Sequence, residues 1–332
     1  MSQAGRVSFR SKETGMYVKE KSILVTGGSG FLGKHVVDSF RKTGCKNVVA
    51  PRKKEFDLTE PNSARRLLGQ YRPDIVVHLA AVCGGIGANL RFPGTFLYQN
   101  LAMGMHLIEE CRKAQIEKTV LIGTVCSYPK FAAIPFRETG LWNGYPEETN
   151  APYGLAKKLL GVQLQAYREE FGLVGIQLLL VNLYGPGDNF DLTTSHVIPA
   201  LIRKCVEARD QEAGEIRVWG TGRPTREFLY VEDAARAIIL ATEHLDSPEP
   251  INIGSGEDIA IADLVRLIAS KVGFEGRVCF DPSHPDGQPR RRLDVSKAKQ
   301  SLAFTASTSL SEGLDRTIAW YLSNLKNSRV AA

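Results

Sequence analysis

Short apolar runs alternate with amphipathic stretches along most of this chain. The run Ser22–Thr26 is apolar and β-branched and is closed by a glycine-rich turn, which predicts a β-strand. Apolar side chains at helical spacing follow in residues 34–42 and stop near Gly44, which predicts a helix. The alternation continues, with predicted strands at 47–50, 74–81 and 118–124 and predicted helices at 63–71 and 96–114. This order predicts an α/β fold, a doubly wound parallel sheet with helices on both faces.

The pattern also suggests how the chain divides. Residues 1–20 are polar without a sustained period, which predicts a flexible extension. We expect residues 21–185, together with about 226–255, to form a Rossmann dinucleotide-binding domain. Residues of about 186–225 and 256–325 would form a smaller, discontinuous substrate domain. A cleft between the two domains would then hold the substrate.

Charge and cysteine usage narrow the function classes. Of the formal net charge of +6, residues 1–21 contribute +3, so the rest of the chain is only mildly basic. That balance favours an anionic small molecule over a nucleic acid. The six cysteines lack metal-ligand spacing, so no metal is expected, and no apolar run is long enough to span a bilayer. We see no apolar signal segment and predict a cytoplasmic enzyme without a membrane role.

The turn after the first predicted strand carries Gly27, Gly30 and Gly33. Glycines at such a turn let the backbone approach a pyrophosphate, and the N-terminus of the next helix then faces the anion. The spacing is G-x-x-G-x-x-G rather than G-x-G-x-x-G. Because the turn lies between a buried strand and a helix, cofactor binding is favoured over a merely tight loop.

The end of the second predicted strand indicates which nicotinamide cofactor is used. An acid there would bind a ribose 2′-hydroxyl, whereas cations suit a 2′-phosphate. Residues 51–54 are Pro-Arg-Lys-Lys, so we predict NADP(H), with Arg52 as the phosphate partner; the alternative is a solvated basic loop. Asp57 and Leu58 follow closely and would border the adenine.

Tyr153 and Lys157 are four residues apart in a predicted helix. Positions i and i+4 share one helix face, so both side chains can point into one pocket, where the ammonium would favour the phenolate. The tyrosine would then be a usable acid near neutral pH. The alternative is an aromatic side chain that only packs on the sheet.

These motifs resemble those of the extended short-chain dehydrogenase/reductase family. Five longer segments resemble its GDP-L-fucose synthase family, over about residues 22–325; they lie at 122–130, 152–157, 182–190, 195–201 and 218–233. The resemblance implies an NADPH-dependent, bifunctional 3,5-epimerase and 4-reductase acting on GDP-4-keto-6-deoxy-D-mannose. A related nucleotide-sugar epimerase or 4-keto reductase for another GDP-sugar and a non-enzymatic NADP-binding sensor are the alternatives.

The resemblance also implies catalytic roles. Thr124 would hydrogen-bond the C4 oxygen, Tyr153 would protonate it, and Lys157 would lower the tyrosine pKa and bind the nicotinamide ribose. Cys126 and His196 would form the acid–base pair that inverts C3 and C5. By residue type alone, Cys126 could be an apolar filler and His196 a helix cap. Which of the two is the base at each carbon stays open.

The remaining expected contacts follow from the same resemblance. Cofactor contacts are expected at Phe31, Leu32, Ala80, Asn182, Leu183 and His196 in addition to the glycines, Arg52, Asp57, Leu58 and Lys157. Lys204, Trp219, Arg226 and Asp286 would bind the sugar nucleotide. Arg290–Arg292 would either join that anion site or, for at least two of them, form a solvated surface run. A homodimer through the helices near 96–114 and 153–171 is expected.

Overall fold

A computed structural model of the protein describes residues 16–330. Residues 1–15 of the predicted extension lie outside the described residues, whereas Met16–Lys19 forms a helical turn with Val18 fully buried. The first half contains α1 (Met16–Lys19), β1 (Ser22–Thr26), α2 (Phe31–Lys42), β2 (Asn47–Val49), α3 (Pro61–Tyr71), β3 (Ile75–His78), α4 (Ile86–Arg91), α5 (Pro93–Lys113), β4 (Lys118–Thr124) and α6 (Ala151–Phe171). The second half contains β5 (Gly175–Leu180), β6 (Asn182–Tyr184), α7 (Val197–Asp210), β7 (Glu215–Trp219), β8 (Thr225–Tyr230), α8 (Val231–His244), β9 (Ile251–Ile253), β10 (Asp258–Ala260), α9 (Ile261–Val272), β11 (Arg277–Asp281), β12 (Arg290–Arg291), α10 (Ser296–Leu302) and α11 (Leu310–Val330).

The main sheet has six parallel strands in the order β2-β1-β3-β4-β5-β9. Its central strands β3, β4 and β5 are buried throughout, as expected for strands covered by helices on both faces. The doubly wound α/β prediction is confirmed. The strand order reverses between β1 and β3, which is where a sheet of this kind binds its ligand.

Helices cover the two faces of this sheet and form separate apolar layers. On one face Phe40 of α2 and Ile238 of α8 are fully buried in a common cluster with the strands. On the other face Leu67 of α3 and Leu107 of α5 pack around Val76. Both faces of the parallel strands are therefore withdrawn from water, which explains their nearly continuous apolar sequence.

A second apolar core lies beyond the carboxyl ends of the strands. Ile202 of α7, Ile268 of α9 and Ile318 of α11 belong to it, beside the parallel pair β7–β11. A small sheet of β6, β8, β10 and β12 joins the two cores, since Leu229 of β8 packs in the first core and its neighbour Phe228 in the second. None of the helices between residues 16 and 330 is long and apolar enough to cross a bilayer.

The sequence pattern did not predict α4. Its segment, Ile86–Arg91, is six residues long and follows two glycines, so it has no apolar period to recognise. Gly84 and Gly85 pack against residues 194 and 195 of the segment before α7: the Gly85 N–H donates to the Thr194 carbonyl at 3.3 Å, and a Cβ on Gly85 would lie 2.7 Å from the Ser195 carbonyl oxygen. This contact closes one side of the space between the two cores.

Candidate active site

A cavity of about 680 Å³ lies between the carboxyl ends of the parallel strands and the second core. All residues that we predicted for cofactor, catalysis and substrate line this cavity, except Arg52. Residues as far apart in sequence as Gly27 and Asp286 thus face one space. Its size is in the range of small-molecule sites.

The glycine turn has the close backbone approach that a dinucleotide needs. Gly27 has a φ of +71°, and a Cβ there would lie 2.7 Å from the Ala80 backbone nitrogen. A Cβ on Gly33 would collide with the Gly27 carbonyl oxygen. The first residue of α2 follows Gly30, which has no side chain to cap the helix, so the free N–H groups of the first turn remain for an anion. These residues fit the pyrophosphate of a dinucleotide.

The basic segment after β2 is placed differently from our prediction in one respect. The Arg52 side chain is exposed and lies outside the cavity lining, while its backbone N–H donates to Glu55 at 2.8 Å. Lys53 lines the cavity instead and lies 3.5 Å from the Asp57 carboxylate. The cationic character expected at this end of the cavity is present, and Arg52 as its phosphate partner stays a prediction.

Thr124 and Cys126 are brought together where β4 ends in a short 3-10 turn, Val125–Ser127. The Thr124 hydroxyl oxygen accepts a hydrogen bond from the Cys126 backbone N–H at 3.2 Å. Ser127 donates to the Gly154 carbonyl at 2.9 Å, and a Cβ on Gly154 would collide with the Cys126 carbonyl. The turn therefore packs directly on the first residues of α6, which carry Tyr153.

Tyr153 and Lys157 both line the cavity from one face of α6. Burial raises the pKa of Tyr153 well above its usual value, and the nearby thiols of Cys83 and Cys126 add to that effect. This direction is opposite to our expectation, because the loss of solvent around the phenol disfavours its charged form. Burial also lowers the pKa of Lys157 to about 8. In this structure the phenol keeps its proton at neutral pH, which suits a proton donor.

His196 precedes α7 and faces the cavity. Its side chain makes no capping hydrogen bond to the helix, so the helix-cap alternative does not describe its contacts here. His196 is an exposed residue on the cavity wall, and the protein atoms around its ring lower its pKa by displacing water. A neutral imidazole has one nitrogen that accepts and one that donates a proton, as a group acting on a C–H bond requires.

The far end of the cavity combines cations with an aromatic ring. Trp219 is 50% exposed and stacks on His284 with the ring centroids 4.2 Å apart. Lys204 donates to the Arg217 carbonyl at 2.9 Å, and burial lowers its pKa. The Asp286 carboxylate accepts bonds from Thr221 at 2.7 and 2.8 Å. An indole face beside cations suits a base or sugar joined to a diphosphate.

Arg291 and Cys83 are among the lining residues that were not singled out from the sequence. Arg291 is 6% exposed and lines the cavity, whereas Arg290 and Arg292 face Asp258 from outside it, at 2.8 and 3.8 Å. Cys83 follows β3 and also lines the cavity. For Cys83, the only local sequence feature that indicated a position in the site was the Gly-Gly pair that follows it, because glycines allow another backbone or a ligand to approach closely.

The fold and this cavity define a Rossmann enzyme that binds a dinucleotide beside a set of acid–base side chains. The chain belongs to the NAD dependent epimerase/dehydratase family, whose model matches residues 23–254. A GDP-L-fucose synthase of Sinorhizobium fredii is 41% identical over 315 residues, covering 94% of this chain and 99% of the relative.

Solved structures give the same likeness. A GDP-L-fucose synthetase from Naegleria fowleri bound to NADP has a TM-score of 0.85 and 29% identity, covering 93% of this chain and 96% of that one. A GDP-6-OMe-4-keto-L-xylo-heptose reductase from C. jejuni has a TM-score of 0.85 and 28% identity, covering 91% and 98%.

Proposed function

We propose that this protein uses NADPH to convert GDP-4-keto-6-deoxy-D-mannose into GDP-L-fucose, by epimerisation at C3 and C5 followed by reduction at C4. The observation that carries the proposal is the presence of two acid–base sets on one cavity: Cys126 with His196, and Thr124 with Tyr153 and Lys157. One set suits proton exchange at carbon and the other suits ketone reduction. Identity of 41% over nearly the whole chain to a GDP-L-fucose synthase supports the substrate.

The epimerisation needs a base on one face of the sugar ring and an acid on the other. A proton beside the C4 ketone is removed, the C–H electron pair moves to the ketone oxygen, and a proton returns from the opposite face. Cys126 in the turn after β4 and His196 before α7 come from different elements, which supports approach from two sides. The Thr124 hydroxyl and the Tyr153 phenol are the donors for the enolate oxygen.

The reduction reuses the same two hydroxyl groups. Bound NADPH supplies the hydride to C4. Tyr153 then gives its proton to the C4 oxygen, with Thr124 holding that oxygen by a hydrogen bond. Lys157 holds the ribose hydroxyls and supplies positive charge beside the phenolate that Tyr153 becomes.

A single incubation tests both half-reactions. The protein is mixed with GDP-4-keto-6-deoxymannose and NADPH in D₂O, and product stereochemistry and deuterium content are followed by NMR together with cofactor absorbance. We expect one NADPH consumed for each product molecule and deuterium at C3 and C5. NADPH oxidation with a product that keeps the manno configuration and carries no deuterium at C3 and C5 would refute the epimerase part.

A 4-keto reductase for another GDP-sugar is the second candidate. Its support is the structural likeness to the heptose reductase from C. jejuni, at a TM-score of 0.85. The same NMR experiment separates the two functions, because a plain reductase leaves the configuration at C3 and C5 unchanged.

The assembly and location of the protein are further parts of this proposal. A homodimer through α5 and α6 is supported by exposed apolar side chains on both helices, among them Tyr98 and Met105 on α5 and Leu159 and Val162 on α6. A cytoplasmic location is supported by the cysteines, all six of which are free thiols. The division into a cofactor domain (21–185 and 226–255) and a sugar-nucleotide domain (186–225 and 256–325) is supported in outline by the two separate apolar cores, but Leu293, Leu302 and Phe304 pack in the first core.

A further inference from the structure

The guanidinium of Arg291 lies against the thiol of Cys126. Its Nη1 atom donates to the Cys126 sulfur at 3.4 Å, although the two residues are 165 positions apart. Arg291 is only 6% exposed and both residues line the cavity. A nearly buried arginine beside a cysteine is the kind of surrounding in which a thiolate is stabilised.

A second residue holds this pair in place. Gln288 is 2% exposed, and its side-chain oxygen accepts from Nε of Arg291 at 2.8 Å. Its amide nitrogen donates to the carbonyls of Pro129 and Lys130 at 3.3 and 2.8 Å, in the loop that follows Cys126. The side-chain amide of Gln288 therefore links the Arg291 guanidinium to the loop after Cys126, and both its oxygen and its nitrogen are hydrogen-bonded.

The charges around this pair leave an excess of positive charge. In the parallel ladder of β12 and β8, Arg291 lies opposite Arg226. Among the residues that the structure describes, neither guanidinium has a carboxylate within 4 Å of its nitrogens. Burial, together with the charge of Arg291, lowers the pKa of Arg226. Glu147 and Asp286 are the nearby carboxylates, but Glu147 accepts hydrogen bonds from Thr149 and Asn150, and Asp286 accepts them from Thr221. An anion on the Cys126 sulfur would relieve this repulsion.

We propose that Arg291 is a positioning residue for the epimerisation: it stabilises the thiolate of Cys126 and aims the sulfur at the substrate carbon. The inference rests on the proposed role of Cys126. Where Cys126 acts as base, the C–H bond breaks and an S–H bond forms, while the C–H electron pair moves onto the ketone oxygen. The Arg291 guanidinium, 3.4 Å from the sulfur, would stabilise the thiolate before that transfer and hold it in place.

The first test measures the reactivity of the thiol itself. The folded protein is treated with iodoacetamide at neutral pH, and labelling is read by mass spectrometry on the tryptic peptide Thr119–Lys130, which contains Cys126 alone. We expect Arg291→Met to slow labelling of Cys126 about tenfold or more, since an adjacent cation changes the thiolate fraction by at least that factor. Arg291→Lys keeps the positive charge but lacks the planar guanidinium, and should restore part of the Cys126 labelling rate.

Two internal controls separate electrostatics from damage to the cavity. Cys83 is read in the same digest on the peptide Leu67–Arg91 and should label at an unchanged rate. Arg290→Met removes the neighbouring exposed arginine, which pairs with Asp258, and should leave Cys126 labelling unchanged. Equal slowing at both thiols, or slowing by Arg290→Met as well, would overturn the inference.

The second test measures the reaction. Arg291→Met should slow deuterium uptake at C3 and C5 by about tenfold or more while NADPH binding stays unchanged. A raised KM for the sugar nucleotide with normal Cys126 labelling would instead make Arg291 a diphosphate ligand and overturn the inference. The two failures are distinguishable: uptake that persists in Cys126→Ser refutes the proposed function, whereas uptake lost in Cys126→Ser with unaltered labelling in Arg291→Met refutes only the role of Arg291.

Discussion

The Thr124 hydroxyl oxygen accepts a hydrogen bond from the backbone N–H of Cys126, over 3.2 Å. Thr124, proposed to hydrogen-bond the C4 ketone, and Cys126, proposed to exchange protons at the neighbouring carbon, are thus held together by one backbone turn. Because the Thr124 oxygen is the acceptor in this bond, its own O–H stays available to donate to a substrate oxygen. Both residues line the same cavity, so we expect a ketone held by Thr124 to be within reach of Cys126 in one binding mode.

The first prediction concerns proton exchange at carbon. Cys126→Ser and His196→Gln each remove one acid–base group, and such groups contribute about 10²–10⁴-fold. We expect deuterium uptake at C3 and C5 to fall by about 10²-fold or more in each variant, with NADPH affinity largely intact. NMR in D₂O and fluorescence titration with NADPH provide the two measurements. Normal uptake in both variants would contradict the assignment.

The second prediction concerns the proton donor. Tyr153→Phe should reduce NADPH oxidation by about 10²–10⁴-fold, because the C4 oxygen then has no proton source. Tyr167→Phe is a matched control on the same helix, since that hydroxyl donates to Glu109 at 3.0 Å and does not line the cavity. It should cost only about 1 kcal/mol of stability. A Tyr153→Phe enzyme with normal turnover would exclude this phenol as the donor.

The third prediction is that Lys157 is required for reduction but lowers the stability of the fold at neutral pH. Its folded-state pKa, about 8, lies below the usual 10.5, so below pH 8 the buried charge destabilises the fold, and stability rises as the pH goes from 8 to 10.5. Lys157→Met removes this buried charge and should raise the free energy of unfolding at pH 7 by up to about 3 kcal/mol. It should also abolish reduction, because the cofactor ribose and the phenolate of Tyr153 lose their cationic partner.

Its neighbour Lys158 provides the control for that experiment. Burial lowers the pKa of Lys158 as well, but its ammonium donates to the Leu141 carbonyl at 2.6 Å and lies 4.1 Å from the Trp142 ring centroid, and these contacts replace part of its lost hydration. Lys158→Met should lower the free energy of unfolding by about 1 kcal/mol. Urea unfolding at pH 7 and pH 9 measures both variants. Destabilisation by Lys157→Met at pH 7 would show that its charge is compensated in the fold.

The strands of the main sheet could be predicted well because their own local sequence determines them. β1 was predicted at Ser22–Thr26 and observed there, since a β-branched run closed by glycines has few other conformations available. β4 at Lys118–Thr124 matched for the same reason. By contrast α4 has no apolar period, and its first neighbours are glycines that serve a tertiary contact.

The site could be predicted where one short segment carries the chemistry. The glycine turn and the Tyr153–Lys157 pair are of this kind. Arg291 is not, because the same Arg-Arg-Arg run contains two residues that face Asp258, and only the register of β12 against β8 turns the middle one inward. The rise in the Tyr153 pKa was also missed, since burial depends on the whole fold and not on the spacing of two residues.

The fourth prediction concerns cofactor choice. Arg52 is exposed, and among the described residues no carboxylate lies within 4 Å of its guanidinium, whereas Lys53 lies 3.5 Å from Asp57. The free guanidinium fork is the better partner for a 2′-phosphate. Arg52→Ala should weaken NADPH binding by about tenfold while NADH binding stays unchanged. Lys54→Ala removes a neighbouring exposed cation that has no guanidinium fork, and is the control. Equal losses for both cofactors would show that Arg52 does not contact the 2′-phosphate.

The last prediction concerns assembly. Met105 on α5 and Leu159 on α6 are 51% and 48% exposed, and the two helices pack closely, since a Cβ on Gly104 would collide with Leu160. An apolar surface spread over two packed helices is costly in water unless a partner covers it. Met105→Glu combined with Leu159→Glu should therefore convert a dimer into a monomer in sedimentation experiments. Phe131→Glu changes a side chain that is 85% exposed in a turn outside both helices, and should leave the mass unchanged. A wild-type chain that sediments as a monomer at micromolar concentration would contradict this prediction. So would a dimer that Phe131→Glu dissociates and the double helix variant does not.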